Sequence, residues 1–305
     1  MDELRLIAID WGTSTARAYA LGAGGIVVNE RTAPLGIQRI ASNGFGDALR
    51  VLCGGEVPPE LPLIASGMVG SRQGWAEAPY CDCPVGFDAI AGALTIVPGT
   101  KLRLVPGLIC RAANGPPDVI RGEETQVFGA LSETIGARQV IVLPGTHSKW
   151  VVAGPDGVET FATFMTGELY AVLRAHSILG RLAVTGVDDG AFDRGVRHSL
   201  RRDAALTHDL FSARTLALTE ALAPTGVADY LSGLLLGAEI AAARTWLAGQ
   251  KLERATPTLL GDAALLIRYQ RALVLAEIDS VLGPSDAAAR GLWRIARHAG
   301  MVSDD

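Results

Sequence analysis

Short apolar runs closed by turn residues fill the first part of the chain, and longer stretches with helical spacing fill most of the last part. Residues 4–10 are apolar and end in Asp10-Trp11-Gly12-Thr13-Ser14-Thr15; the β-prone residues 16–21 follow, then Gly22-Ala23-Gly24-Gly25, then residues 26–31. Glycine supplies the positive φ that tight turns need, so this pattern predicts three strands joined by hairpins. The same unit recurs in residues 139–143, the turn 144–147, residues 148–153, the turn 154–157 and residues 158–164. Gly12-Thr13 and Gly145-Thr146 lie 133 residues apart, at the same place in each unit. A repeat at nearly half the chain length points to two duplicated halves, because solenoid repeats have periods of about 20 to 50 residues.

Between the two units the spacing predicts a helix over 47–53, a break at Pro58-Pro59, a strand over 61–66, a loop over 67–74 and two strands within 90–105. A helix over 122–132 places Val127, Phe128 and Leu131 on one face. Beyond the second unit, helices are predicted over 168–179, 228–248 and 263–276, with a charged stretch over 188–208. A strand over 257–260 ends at Gly261. The domain boundary falls near Ala137, giving domains 1–137 and 138–305.

With 49% hydrophobic and 19% charged residues the chain is too apolar to be disordered. Its 27 basic residues against 32 acidic ones give a net charge of −5, which offers no footprint for nucleic acid. Any anionic ligand must therefore be held by local features. The four cysteines are too few for a disulfide framework, and Cys81-Asp82-Cys83 is an incomplete metal site, so they read as reduced thiols of a cytoplasmic protein. The N-terminus begins with acids and resembles no targeting peptide. The most apolar stretch, 230–243, contains Glu239 and is shorter than the roughly 20 residues a membrane crossing needs.

The two turns carry the candidate chemistry. A strand-turn-strand tipped with Gly-Thr presents successive N–H groups and hydroxyls, an anion nest suited to phosphate. The candidate nucleotide contacts are Gly12, Thr13, Ser14 and Thr15 in the first turn and Gly145, Thr146, His147, Ser148 and Lys149 in the second. One such turn alone would be explained by turn propensity; two in matching contexts, one beside an acid, favour phosphate. Neither G-x-x-x-x-G-K-[ST] nor a strand-to-helix G-x-G-x-x-G is present. Asp10 at the end of the first strand could hold Mg²⁺, with nucleotide phosphates completing the ion's shell. Arg17 and Lys149 could neutralise phosphate or be solvated cations.

Taken in order, Ile9–Thr15 (IDWGTST), Ala65–Ser71 (ASGMVGS), Arg121–Gln126 (RGEETQ), Pro144–Trp150 (PGTHSKW), Met165–Leu169 (MTGEL) and Leu231–Glu239 (LSGLLLGAE) make the chain resemble the 2-dehydro-3-deoxygalactonokinase family. The resemblance implies an α/β protein of two duplicated ribonuclease H-like domains, the actin-like ATPase fold, with ATP and Mg²⁺ in an interdomain cleft. It also implies phosphorylation of the 6-hydroxyl of 2-dehydro-3-deoxy-D-galactonate in galactonate catabolism.

Phosphoryl transfer needs a carboxylate to orient or deprotonate the attacking hydroxyl. Glu124 is the first candidate and Glu123 the second, although two acids at a helix start also suit its dipole. The arrangement Gly122-Glu123-Glu124 resembles the position of the acid in exopolyphosphatases of the same superfamily. Arg72 and Arg121 are candidates for the substrate carboxylate, since guanidinium pairs bidentately with it. Glu168 could accept hydrogen bonds from sugar hydroxyls. His147 and His176 are given no acid-base role. Gly233 and Gly237, one turn apart, admit either an adenine ring or a neighbouring helix; Gly261, at a strand-to-helix turn, suits adenosine or phosphate. The sequence departs from the family at Asp262, where a small hydroxyl residue is expected, and an acid there would repel phosphate. Two other readings are a phosphohydrolase acting on polyphosphate or a nucleotide, and a nucleotide-binding sensor without transfer. A homodimer is compatible with the sequence, which does not specify it.

Overall fold

The computed structural model describes residues 3–111, 115–131, 136–201 and 203–303. The first two residues and the expected helix end at Ser132 lie outside them. In chain order the elements are β1 (Leu6–Trp11), β2 (Ala16–Leu21), β3 (Val27–Ala33), α1 (Phe45–Cys53), β4 (Leu63–Ser66), β5 (Tyr80–Asp82), α2 (Phe87–Gly92), β6 (Thr95–Ile96), β7 (Leu102–Leu104), β8 (Gly107–Cys110), β9 (Asp118–Ile120) and α3 (Glu123–Ala130). They continue as β10 (Gln139–Leu143), β11 (Ser148–Gly154), β12 (Gly157–Phe164), α4 (Thr166–His176), α5 (Asp189–Ser199), α6 (Leu206–Asp209), α7 (Ser212–Leu218), α8 (Val227–Gly249), β13 (Thr258–Leu259), α9 (Ala263–Leu275), β14 (Val281–Leu282) and α10 (Ala287–His298).

The repeat read in the sequence is a repeat of topology. One sheet has the strand order β3-β2-β1-β4-β7-β6 and another β12-β11-β10-β13-β14; a third, smaller sheet is β5-β8-β9. In the first, β1 pairs antiparallel with β2, Leu6 opposite Leu21, and parallel with β4, Asp10 opposite Ser66. In the second, β10 pairs parallel with β13, and β13 with β14. Each opening strand thus lies between its own hairpin and a parallel strand that arrives after a long crossover, so its C-terminal end is a switch point of the kind that binds ligands in open α/β sheets.

By its contacts the chain forms two compact units, one of residues 1–138, 151–161 and 283–305, the other of residues 139–150 and 162–282. In the first unit β1 is central and buried on both faces, which is why it reads as a continuous apolar run. Ile7, Ile9 and Trp11 share a core with Phe45 and Leu52 of α1, and the Trp11 indole N–H donates to the Leu35 carbonyl at 2.7 Å. The C-terminal α10 packs on α3 in this unit.

The second unit is built around α8. Its 23 residues correct the expectation of an apolar stretch too short to span a membrane. With the turn before it, residues 224–249, it is the one helix among the described residues long and apolar enough to cross a bilayer, and it is mostly buried inside the protein. Leu231, Leu234 and Leu235 meet side chains of the surrounding helices on different faces of α8.

Candidate active site

In the first unit, the ends of β1 and β4 and the head of α3 meet. Asp10 stands opposite Ser66 across the parallel pair, and Ser66 Oγ lies 3.3 Å from Thr125 Oγ1, which donates to the Gly122 carbonyl at 2.7 Å. Gly67 has φ +91°, and a Cβ there would sit 2.7 Å from the Trp11 carbonyl oxygen; only glycine lets the loop after β4 close on the end of β1. The two acids at the head of α3 bend back onto its entry: the Arg121 N–H donates to Glu123 Oε2 at 3.1 Å and the Gly122 N–H to Glu124 Oε2 at 2.6 Å. Both acids therefore serve the entry of the helix.

Glu124 differs from its neighbour in being fully buried, with Oε1 left without a hydrogen-bond partner. Burial, reinforced by the charge of Glu123, pushes its carboxyl up to about 8. Burial also raises Asp10 to about 6, against the pull of Arg17 and with a further push from Glu123. The turn beside Asp10 closes on itself, with the Gly12 N–H donating to the Thr15 carbonyl at 2.9 Å. It is braced from behind by the N–H groups of Ile37 and Gln38, both at 3.1 Å from the carbonyls of Gly12 and Thr13, and it leaves Thr13, Ser14 and Thr15 exposed at the tip. Arg17 pairs with Glu30 at 3.2 Å on the exposed hairpin face.

The two candidate arginines differ. Arg72 is exposed and ion-paired with Glu77 at 2.9 Å. Arg121 donates to the Ala78 carbonyl at 2.8 Å and stacks over the Tyr80 ring at 4.3 Å, while its Nε and Nη1 are buried without partners.

In the second unit the turn between β10 and β11 leaves Thr146 and His147 exposed. The Glu168 N–H donates to the Thr146 carbonyl at 2.9 Å and the Glu168 carboxylate meets His147 Nε2, so the head of α4 and this turn are one assembly. Two expected phosphate contacts are corrected here. Ser148 is buried, its Oγ 2.6 Å from the Tyr269 hydroxyl. Lys149 is also buried and donates from Nζ to the His147 carbonyl at 2.6 Å, bracing the turn from below rather than extending beyond it. Both residues begin a strand buried along its whole length, and the alternation that would have exposed one of them is absent.

The adenine alternative for Gly233 and Gly237 is corrected as well. A Cβ on Gly233 would lie 2.1 Å from the Phe192 carbonyl oxygen, and one on Gly237 would lie 2.7 Å from that of Val196. These glycines let α5 cross α8 at close range, leaving no room for a ring. A cavity of about 170 Å³ lies nearby instead, lined by Gly145, Thr166, Tyr170, Leu235, Leu265 and Arg268, apolar in its body with a few polar groups. Gly261 has φ +148° at the entry to α9, and Asp262 is the N-cap of that helix, its Oδ1 accepting from the N–H groups of Ala264 and Leu265 at 3.0 and 3.3 Å. The acid that departs from the family pattern thus has a structural reason.

Among the described residues no three His, Cys, Asp or Glu side chains gather into a group that could hold a metal. Mg²⁺ in phosphotransferases is held by one or two carboxylates with water and substrate phosphate. Asp10 fits that pattern, since burial has raised its carboxyl and a cation beside it would restore the charged form. Sequence reasoning gave no role to Ser66, Thr125 and Thr166, although they stand inside the motifs that carry the resemblance, nor to Tyr170 and Tyr269. It also gave Glu239 no role, although a lone acid inside an apolar helix was a visible signal.

The family described as 2-keto-3-deoxy-galactonokinase matches residues 10–295. The chain belongs to this family. A Rhizobium meliloti (strain 1021) protein named probable 2-dehydro-3-deoxygalactonokinase DgoK1 is 38% identical, over 94% of this chain and 97% of its own length. The 2-dehydro-3-deoxygalactonokinase of Escherichia coli (strain K12) is 35% identical, over 97% of this chain and 98% of its own. The crystal structure of a Sinorhizobium meliloti protein assigned to 2-dehydro-3-deoxygalactonokinase superposes with a TM-score of 0.86 at 37% identity, covering 96% of this chain and 98% of that one. The resemblance on which the sequence reading rested is borne out, and so is its α/β fold class.

Proposed function

We propose that this member of the galactonokinase family transfers the γ-phosphoryl group of ATP to the 6-hydroxyl of 2-dehydro-3-deoxy-D-galactonate, a step of galactonate catabolism. Family membership over residues 10–295 supports the reaction class. The observation that carries the chemistry is Glu124, a buried carboxyl with one oxygen unpaired and raised to about 8, two residues after Gly122, which packs on Gly67 of the loop that closes on β1. A base whose proton affinity lies near the working pH is suited to accept the proton of an attacking hydroxyl. In this reading the 6-hydroxyl passes its proton to Glu124 as its oxygen bonds to the γ-phosphorus and the bond to ADP breaks. Glu123 serves the N–H of Arg121 and ranks second.

The exposed tip residues of the two turns bind phosphates, Gly261 follows them, and the 170 Å³ cavity beside Gly145 accepts the adenine ring. Asp10 holds Mg²⁺, which when bound neutralises phosphate charge. Arg121 is the first choice for the substrate carboxylate because its Nε and Nη1 lack partners, Arg72 the second, and Glu168 serves the sugar hydroxyls. Four free cysteines fit a cytoplasmic enzyme. Neither curated relative carries the name of a phosphohydrolase or a sensor, and both alternatives are set aside.

Glu124→Ala tests the assignment. ATP affinity should persist within about twofold while turnover falls about 10²- to 10⁴-fold. Unchanged turnover would remove Glu124 from the reaction.

A further inference from the structure

Behind the second turn, one buried carboxylate collects donors from several elements. Glu239, on α8, accepts from Trp150 Nε1 of β11 at 2.8 Å and from the Tyr269 hydroxyl of α9, 3.1 and 3.0 Å from its two oxygens. The side chains of Thr166, at the head of α4, and Ser148, at the start of β11, hydrogen-bond it as well. Ser148 and Tyr269 are in turn joined at 2.6 Å. These partners adjoin the surface that would meet the nucleotide: Thr166 and Tyr269 line the cavity, and the buried Ser148 directly follows the exposed residues Thr146 and His147.

Filling space does not require an acid here. Leu234, Leu235, Leu236 and Ile240 surround position 239 on the same helix, and an apolar side chain would suit that interior. A buried carboxylate is tolerated only when its oxygens are satisfied, and here the donors converge on both of them. The Trp150 N–H can only donate, so the oxygen it meets must be an acceptor. In the isosteric amide the atom not held by Trp150 becomes an NH₂ donor, so the Ser148, Thr166 and Tyr269 hydroxyls that donate to it would have to turn round and accept, rearranging the network.

We infer that Glu239 is a positioning residue for the nucleotide, holding the start of β11, the head of α4 and the Tyr269 side of α9 in one arrangement, so that the second phosphate turn and the base cavity keep a fixed geometry. The inference rests on the ATP reading above. Glu239 touches no reacting atom. It acts through Ser148, Thr166 and Tyr269, as residues behind a ligand set orient the groups that make contact.

Calorimetric titration of ATP with Mg²⁺ into wild type, Glu239→Gln, Tyr269→Phe and the double variant tests this, together with steady-state kinetics for both substrates. Glu239→Gln should weaken ATP binding about tenfold and raise the KM for ATP in step, while the KM for the sugar acid stays within about twofold. Tyr269→Phe should act in the same direction and less. The double variant should be no weaker than Glu239→Gln alone, because the two groups work as a unit. Unchanged ATP affinity in either single variant, an equal rise of both KM values, or additive losses would overturn the inference. If Glu239→Gln does not fold, Tyr269→Phe decides by the same split between the two KM values. Wild-type protein that binds no ATP would instead overturn the nucleotide reading on which this one stands.

Discussion

Glu124 combines two properties rarely found together in a carboxyl group, complete burial and an oxygen with no donor. Leaving such a group in place costs stability, and proteins retain costly groups where function uses them. The cost has a definite pH dependence. With a folded pKa near 8 against an ordinary 4.5, the folded protein holds a proton that the unfolded chain has released between those values, so stability falls as pH rises from about 4.5 to 8 and is level above. Glu124→Gln cannot ionise. Its stability relative to wild type should therefore grow by about 4 to 5 kcal/mol between pH 4 and pH 9, measured by denaturant unfolding at each pH. A difference that does not change with pH would contradict the burial of an ionisable carboxyl. The run Gly122-Glu123-Glu124 made this acid visible in the sequence, on the helix that precedes the second turn. Its burial was not visible, because it depends on the end of β4 and on Thr125, which meets Ser66 from 59 residues away.

Asp262 shows how an element can account for a departure from a family pattern. The sequence suggested an acid set against phosphate, whereas the structure makes it the cap of α9, satisfying two N–H groups that the first turn leaves open. Asp262→Ala should lower stability by about 1 kcal/mol in thermal or denaturant unfolding. ATP affinity should stay the same or tighten; a clear loss of affinity without loss of stability would make Asp262 a ligand contact and not a cap. The elements that carry the turns were legible, and the hairpin strands β2 and β10 begin and end where the alternation and glycines put them. The sheet of β5, β8 and β9 was not, since strands of three or four residues are too short to show a period. Ile90, expected near a strand, lies on α2 instead. The helix α10 also went unread, although Leu292, Trp293 and Ile295 with the alanines around them form an apolar face.

For the whole molecule, the legible feature was the repeat. Two units of strand, Gly-Thr turn and strand, 133 residues apart, became two sheets whose opening strands occupy the same topological place. The roles inside the second turn were less legible. Ser148 and Lys149 carry the right chemistry for phosphate but start a strand buried on both faces, which turns them inward. The reaction class and the acceptor both follow from family membership. A coupled assay of ATP consumption over a panel of 2-keto-3-deoxy sugar acids and neutral hexoses tests the central claim most directly. The expected result is turnover with 2-dehydro-3-deoxy-D-galactonate, one ADP formed for each phosphorylated acid and negligible ADP without an acceptor. ADP release independent of any acceptor, or turnover confined to neutral hexoses, would contradict it.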